Sequence, residues 1–240
     1  MSAVFATAGP SVYWYLTRAT GAVALLLLTL AIVLGVVDVE RWSTARWPRF
    51  VLDSLHRNVA LLATVFLVVH ILTSVLDSFA SISIADALIP FVGSYRPFWL
   101  GLGTIAFDLI LAVIATSLLR ARMGYGTWRA IHWLTYASWP IALIHGLGTG
   151  SDADSTWLLA LSIVCSALVV AAVMMRVMVG WPGEIRRRGA ALAGTGGFAL
   201  FIVLWLPAGP LGAEWARRSG TPSALLGHSQ TATKAGGKRR

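Results

Sequence analysis

Six runs of apolar residues, at about 13–37, 52–76, 98–119, 128–147, 157–179 and 190–206, approach or exceed the ~20 residues a helix needs to cross a hydrocarbon core ~30 Å thick. No water satisfies backbone N–H and C=O groups there, so each run must close its hydrogen bonds within itself, as a helix. The chain is therefore expected to be all-α, a polytopic membrane helix bundle of about six transmembrane helices. Composition agrees, since 57% hydrophobic and 12% charged residues leave too little polar surface for a soluble domain of 240 residues. The last run is short and carries Gly194, Gly196 and Gly197, so a re-entrant segment is the alternative to a full crossing there.

The formal charge of +9 sits in short clusters between the apolar runs, a pattern of membrane topology and not of nucleic-acid binding. Arg41, Arg46 and Arg49 precede run two, Arg120 and Arg122 follow run three, and Arg186 to Arg188 follow run five. These connections alternate, so they share one side, which the positive-inside rule makes cytoplasmic, with the N-terminus outside. The opposite connections hold Asp77, Asp86, Asp152 and Asp154, with Arg96 as their lone cation. The N-terminus has no basic leader region and its first apolar run is too long for a signal sequence, so it is expected to be retained. Segment 78–97 is moderately apolar and is expected to lie in the outer interface, covering the end of the bundle. Trp99, Trp128, Trp157 and Trp181 fall near the run boundaries, as an aromatic belt would place them. The organisation expected is an outer N-terminal segment (1–12), a transmembrane core (13–179), a basic loop with a sixth helix (180–208) and a flexible basic tail (209–240) in which His228 has no specific role. Six crossings put that tail outside despite its arginines and lysines, because charges in short loops weigh more in topology. Cys165 lies in an apolar run and reads as a small core or lipid-facing residue.

Histidine within a span is costly and asks for a partner. Run two reads HRNVALLATVFLVVH, with His56 and His70 fourteen positions apart; run four reads HWLTYASWPIALIH, with His132 and His145 thirteen apart. At ~1.5 Å per residue each pair separates by roughly 20 Å, so each helix carries one histidine near either face. Fourteen steps of ~100° come within about 40° of four turns, but thirteen fall about 140° short. Pro140, between the second pair, is expected to kink or rewind the helix and bring His145 round. Runs two and four go the same way, so His56 meets His132 and His70 meets His145. Each pair can clamp one planar macrocycle, with neutral imidazoles as axial iron ligands, a bis-haem cytochrome b arrangement. Two axial histidines suit electron transfer, and two centres at different depths make a path across the bilayer. Core histidines bonded to carbonyls are the plain alternative; zinc or copper fits less well, since neither layer shows a carboxylate or thiolate to complete such a site. Arg57 and Arg129 stand beside the inner histidines and Arg18 at the outer end of run one, each a candidate partner of a haem propionate. Positive-inside marking accounts for Arg57 and Arg129 equally well, whereas Arg18 stands against that rule.

The paired spacing, H-x13-H followed by H-x12-H, resembles the ferric reductase-like transmembrane domain. That domain is the haem core of NADPH oxidases, yeast ferric reductases and the haem-binding membrane subunit of a bacterial periplasmic methionine sulfoxide reductase system. The resemblance covers about residues 13–179. It implies that His56 and His132 hold an inner haem b, that His70 and His145 hold an outer one, and that Arg18 matches an arginine near the outer haem. It also implies electron transfer from a cytoplasmic or quinol donor to an outer acceptor: ferric chelates, an extracytoplasmic redox partner or oxygen. The oxidases append flavin and nicotinamide domains, which residues 186–240 are too few to supply. The donor is then expected to be a separate flavoprotein or membrane quinol, and the chain an oxidoreductase component in a bacterial inner membrane. An alternative is a subunit dedicated to one periplasmic reductase. From another class comes a haem-free transporter or scaffold, which would favour carboxylates at mid-membrane, where Asp108 alone stands and is expected to pack between helices.

Overall fold

The computed structural model describes residues 11–39, 48–150, 154–179 and 184–226, and these are all-helical. The long helices are α1 (Val12–Val39), α2 (Arg49–Leu76), α4 (Pro97–Leu118), α7 (Thr156–Val179) and α8 (Ile185–Ala208). Each is long and apolar enough to cross a membrane. The expected fourth span is instead two pieces, α5 (Tyr125–His132) and α6 (Thr135–Thr149), while α3 (Ile84–Leu88) and α9 (Trp215–Arg218) are short elements at one end. The chain is a multi-pass membrane protein. Leu61, Leu62, Val65, Val68 and Leu72 of α2 are exposed, as residues facing lipid tails are.

Helix α1 is the hub. It packs along α2 and also on α6 and α7, while α4 packs on α6 and α8 leans on α7. Its middle meets α6 and α7 in a closed cluster of Trp139, Leu143, Leu147 and Cys165. There the buried Trp139 indole donates to Thr29 Oγ1 at 2.8 Å, so the one polar atom that tryptophan brings inside is satisfied. Cys165 is fully buried in this cluster, the small core residue of the two readings.

The break in span four is where the phase problem is solved. Leu134, Tyr136 and Ala137 donate to Ile131, Trp133 and Leu134, three tightened i→i+3 turns in place of α-helical bonds. Such turns wind ~120° per residue against ~100°, so five or six steps recover most of the missing ~140°. The rewinding thus lies at residues 131–137, one turn before Pro140. The proline has no N–H for the carbonyl of Tyr136 and its ring crowds that carbonyl, whereas α6 itself continues through Pro140.

At the other end of α6, the segment expected to cover the bundle does so. α3 is held by a reciprocal cap between Ser83 and Asp86 and packs on α4. The chain from Gly209 to Leu226, where composition predicts a flexible tail, folds back over the same end; residues 227–240, with His228, lie outside the described residues. The cause is aromatic, for Trp215 packs at 5.0 Å on Trp99, which stacks at 5.1 Å on Trp205 of α8. Trp99 is therefore part of a cap, and α8, at ~1.5 Å per residue, has length to reach this end from the arginine-bearing one. No residue of α8 is buried. Asp108 is exposed on α4 and does not pack between helices, and Trp181 lies outside the described residues.

Arg96 locks this cap. It is 4% exposed, its Nη1 donates to the carbonyls of Gly148, Thr149 and Gly150 at 3.0–3.3 Å, and its Nε donates to Thr221 Oγ1 at 2.9 Å. A cation there satisfies the orphan carbonyls at the α6 C-terminus and meets the negative end of its dipole. Burial draws its pKa below that of a solvated guanidinium, partly offset by the adjacent Tyr95. Replacing Arg96 with leucine should lower stability by about 3 kcal/mol, because buried carbonyls lose charged donors. Thermal unfolding followed by intrinsic fluorescence measures it, and lysine, lacking the planar fork, should not restore the loss.

Candidate functional site

The four span histidines come together in two pairs. The rings of His56 (α2) and His132 (α5) have centroids 6.3 Å apart, and those of His70 (α2) and His145 (α6) 6.4 Å. Helix α2 is not packed on α6; the pairs face each other across a gap that α1 and α4 flank. An imidazole nitrogen binds a transition metal at ~2.0–2.1 Å with its ring centre about 1.1 Å behind, so two imidazoles on opposite sides of one ion have centroids about 6.3 Å apart. Both pairs stand at that separation.

Three of the rings are aimed by backbone. The Nδ1–H of His56 donates to the Ala31 carbonyl at 2.9 Å, that of His70 to Thr17 at 2.8 Å, and that of His145 to Trp99 at 2.9 Å. A carbonyl can only accept, so Nδ1 carries the proton in each and Nε2 keeps its lone pair for a metal. This is the outer-shell bond that metal-ligating histidines use to fix ring and tautomer.

Each accepting carbonyl is followed four residues later by glycine: Thr17 by Gly21, Ala31 by Gly35, Trp99 by Gly103. In a helix the residue at i+4 already bonds carbonyl i, and its side chain stands beside that oxygen. A Cβ at Gly21 would lie 2.9 Å from the His70 ring, at Gly35 3.2 Å from His56, and at Gly103 2.5 Å from His145. The absent side chains let the imidazoles in. Gly21 and Gly35 are fourteen apart, as His56 and His70 are, and that shared interval was the signal available in the sequence.

Around the His70–His145 pair lies an apolar cleft with a cavity volume of about 270 Å³, between α1, α2, α4 and α6. Its polar lining includes Arg18, Ser74, Asp77, Asp86 and Tyr95, and Trp157 borders it too. Arg18 is half-buried with its guanidinium 3.9 Å from the Trp14 ring centre. The structure thus brings Arg18 to the His70–His145 pair, while Arg57 and Arg129 are exposed beside His56 and His132. Each layer presents two imidazoles, and the described residues hold no group of three or more histidine, cysteine or acidic side chains around one point. A two-ligand layer suits a macrocycle that brings the remaining donors.

The family model of the ferric reductase like transmembrane component matches residues 20–143. The chain belongs to that family. The matched part of this ferric reductase-like protein contains His56, His70 and His132, with Gly21, Gly35 and Gly103, and stops two residues before His145. No curated protein and no solved structure matches the chain. Membership gives the class of function, electron transfer across a membrane, in a protein that works with a separate redox partner.

Proposed function

We propose that this protein carries electrons across the membrane through two haem b groups, an inner one on His56 and His132 and an outer one on His70 and His145. The observation that carries the reading is the double coincidence of ring separation, 6.3 and 6.4 Å, with that of two imidazoles sharing one iron. When bound, a haem held by the two histidines of a pair would supply a one-electron couple. The chain's own residues do the rest. Thr17, Ala31 and Trp99 hold three imidazoles in the ligating tautomer, and the apolar walls of the gap exclude water. Arg18 supplies a cation to the outer haem's propionates, and Arg57 and Arg129 supply theirs to the inner one. The arginine-rich end, with Arg120, Arg122 and Arg186 to Arg188, faces the cytoplasm and meets the donor, a quinol or flavoprotein; the N-terminus and the Trp99 cap lie outside, where the acceptor binds.

The test is transfer across a sealed bilayer. Proteoliposomes with ferricyanide trapped inside and dithionite outside should reduce the trapped oxidant much faster than protein-free vesicles. A rate equal to that of the empty vesicles contradicts the proposal.

A further inference from the structure

Three of the four histidines follow one rule, a carbonyl on Nδ1 with a glycine four residues on, and His132 does not. Its Nδ1 is buried and has no hydrogen-bond partner among the described residues. It ends the eight-residue α5 just where the chain rewinds, so its own helix holds it weakly. What touches it is Trp128, one turn earlier on the same face, whose ring stacks on the imidazole with centroids 5.0 Å apart and planes 27° apart. That indole is itself held: the Arg120 guanidinium lies over it at 4.3 Å, and its Nε1 donates to Ser117 Oγ at 3.4 Å.

We infer that Trp128, steadied by Arg120, is the positioning residue of the inner haem site and orients His132 by stacking where the other three ligands are oriented by carbonyls. The inference rests on reading His56 and His132 as the ligands of one haem. It makes the two centres unequal. A hydrogen bond from Nδ1–H to a carbonyl strengthens the imidazole as a donor and favours the oxidised metal; His132 lacks that bond. The Arg120 charge nearby favours the reduced metal as well. Both effects raise the inner potential relative to a site with two anchored histidines. The bond from His56 to Ala31 keeps the other axial ligand like those of the outer pair.

The test uses the full-length haem-loaded protein, with the His145→Ala variant identifying the inner centre's signals. Trp128→Leu should broaden the low-spin ferric EPR signal of the inner centre and lower its occupancy, leaving the outer signal as in wild type. Trp128→Phe, which keeps the stack and loses only the bond to Ser117, should restore the inner signal. Arg120→Gln should shift the inner midpoint potential downwards in a redox titration while the outer midpoint stays put. An inner EPR signal in Trp128→Leu identical to wild type would overturn the inference. Should that variant lose both centres by misfolding, Arg120→Gln decides, and an unmoved inner midpoint rejects the idea. Wild-type protein without haem would refute the haem reading itself, a result distinct from either.

Discussion

Replacing His145 with alanine should leave a protein that carries one haem in place of two, with the inner centre's spectrum intact. The two pairs sit roughly 20 Å apart along α2, and although both draw on α1 and α2, each is held by its own carbonyls and its own partner helix, so one can fail without the other. His145 is aimed by α4 through the Trp99 carbonyl, whereas His56 is aimed by α1 through Ala31. His70→Ala should have the same effect, and His56→Ala or His132→Ala the reverse one. The check is haem per chain in each purified variant, with EPR to tell the centres apart. Loss of both haems from every single change, in protein that still folds, would mean that the pairing by depth is wrong.

The glycines give the second large effect, and a graded one. Gly103→Ala puts a Cβ 2.5 Å from the His145 ring, closer than real Cβ contacts come. The ring cannot simply retreat, because α4 and α6 pack on each other and its Nδ1 is tied to α4 itself. The outer haem should be lost almost completely, through displacement of a ligand that the substitution does not touch chemically. Gly21→Ala, at 2.9 Å from His70, should weaken outer occupancy less, and Gly35→Ala, at 3.2 Å from His56, should cost the inner site little. Gly194→Ala on α8, with nothing within 4 Å, is the neutral control. A series in which haem content ignores this order would show that the glycines do not make room for the imidazoles. Overpacking typically costs about 1–3 kcal/mol, so the folded protein should survive each change and the haem readout should carry the signal.

The arrangement of spans was readable because the bilayer leaves a chain few options, and the histidines stood out because imidazole inside a span is rare. The thirteen-residue interval in span four looked out of phase, and Pro140 pointed to a remedy. The rewinding occurs at residues 131–137, where the proline disturbs the turn before it. The fold of Gly209 to Leu226 was hidden because the segment is rich in Gly, Ser and Ala; one indole, Trp215, outweighs that composition once Trp99 and Trp205 are beside it. The glycine partners were missed for a similar reason. A glycine in a membrane helix has many uses, and only a ring arriving from α2 or α6 shows which use applies at Gly21, Gly35 and Gly103. Arg96, legible only as a stray cation on the acidic side, proves to be the lock of the cap.

The central claim is that facing imidazoles at two depths grip two iron porphyrins. The most direct measurement is a reduced-minus-oxidised spectrum of protein purified from haem-replete cells, with pyridine hemochrome quantification. The account predicts a low-spin b-type spectrum and close to two haems per chain; folded protein without a Soret band would contradict it.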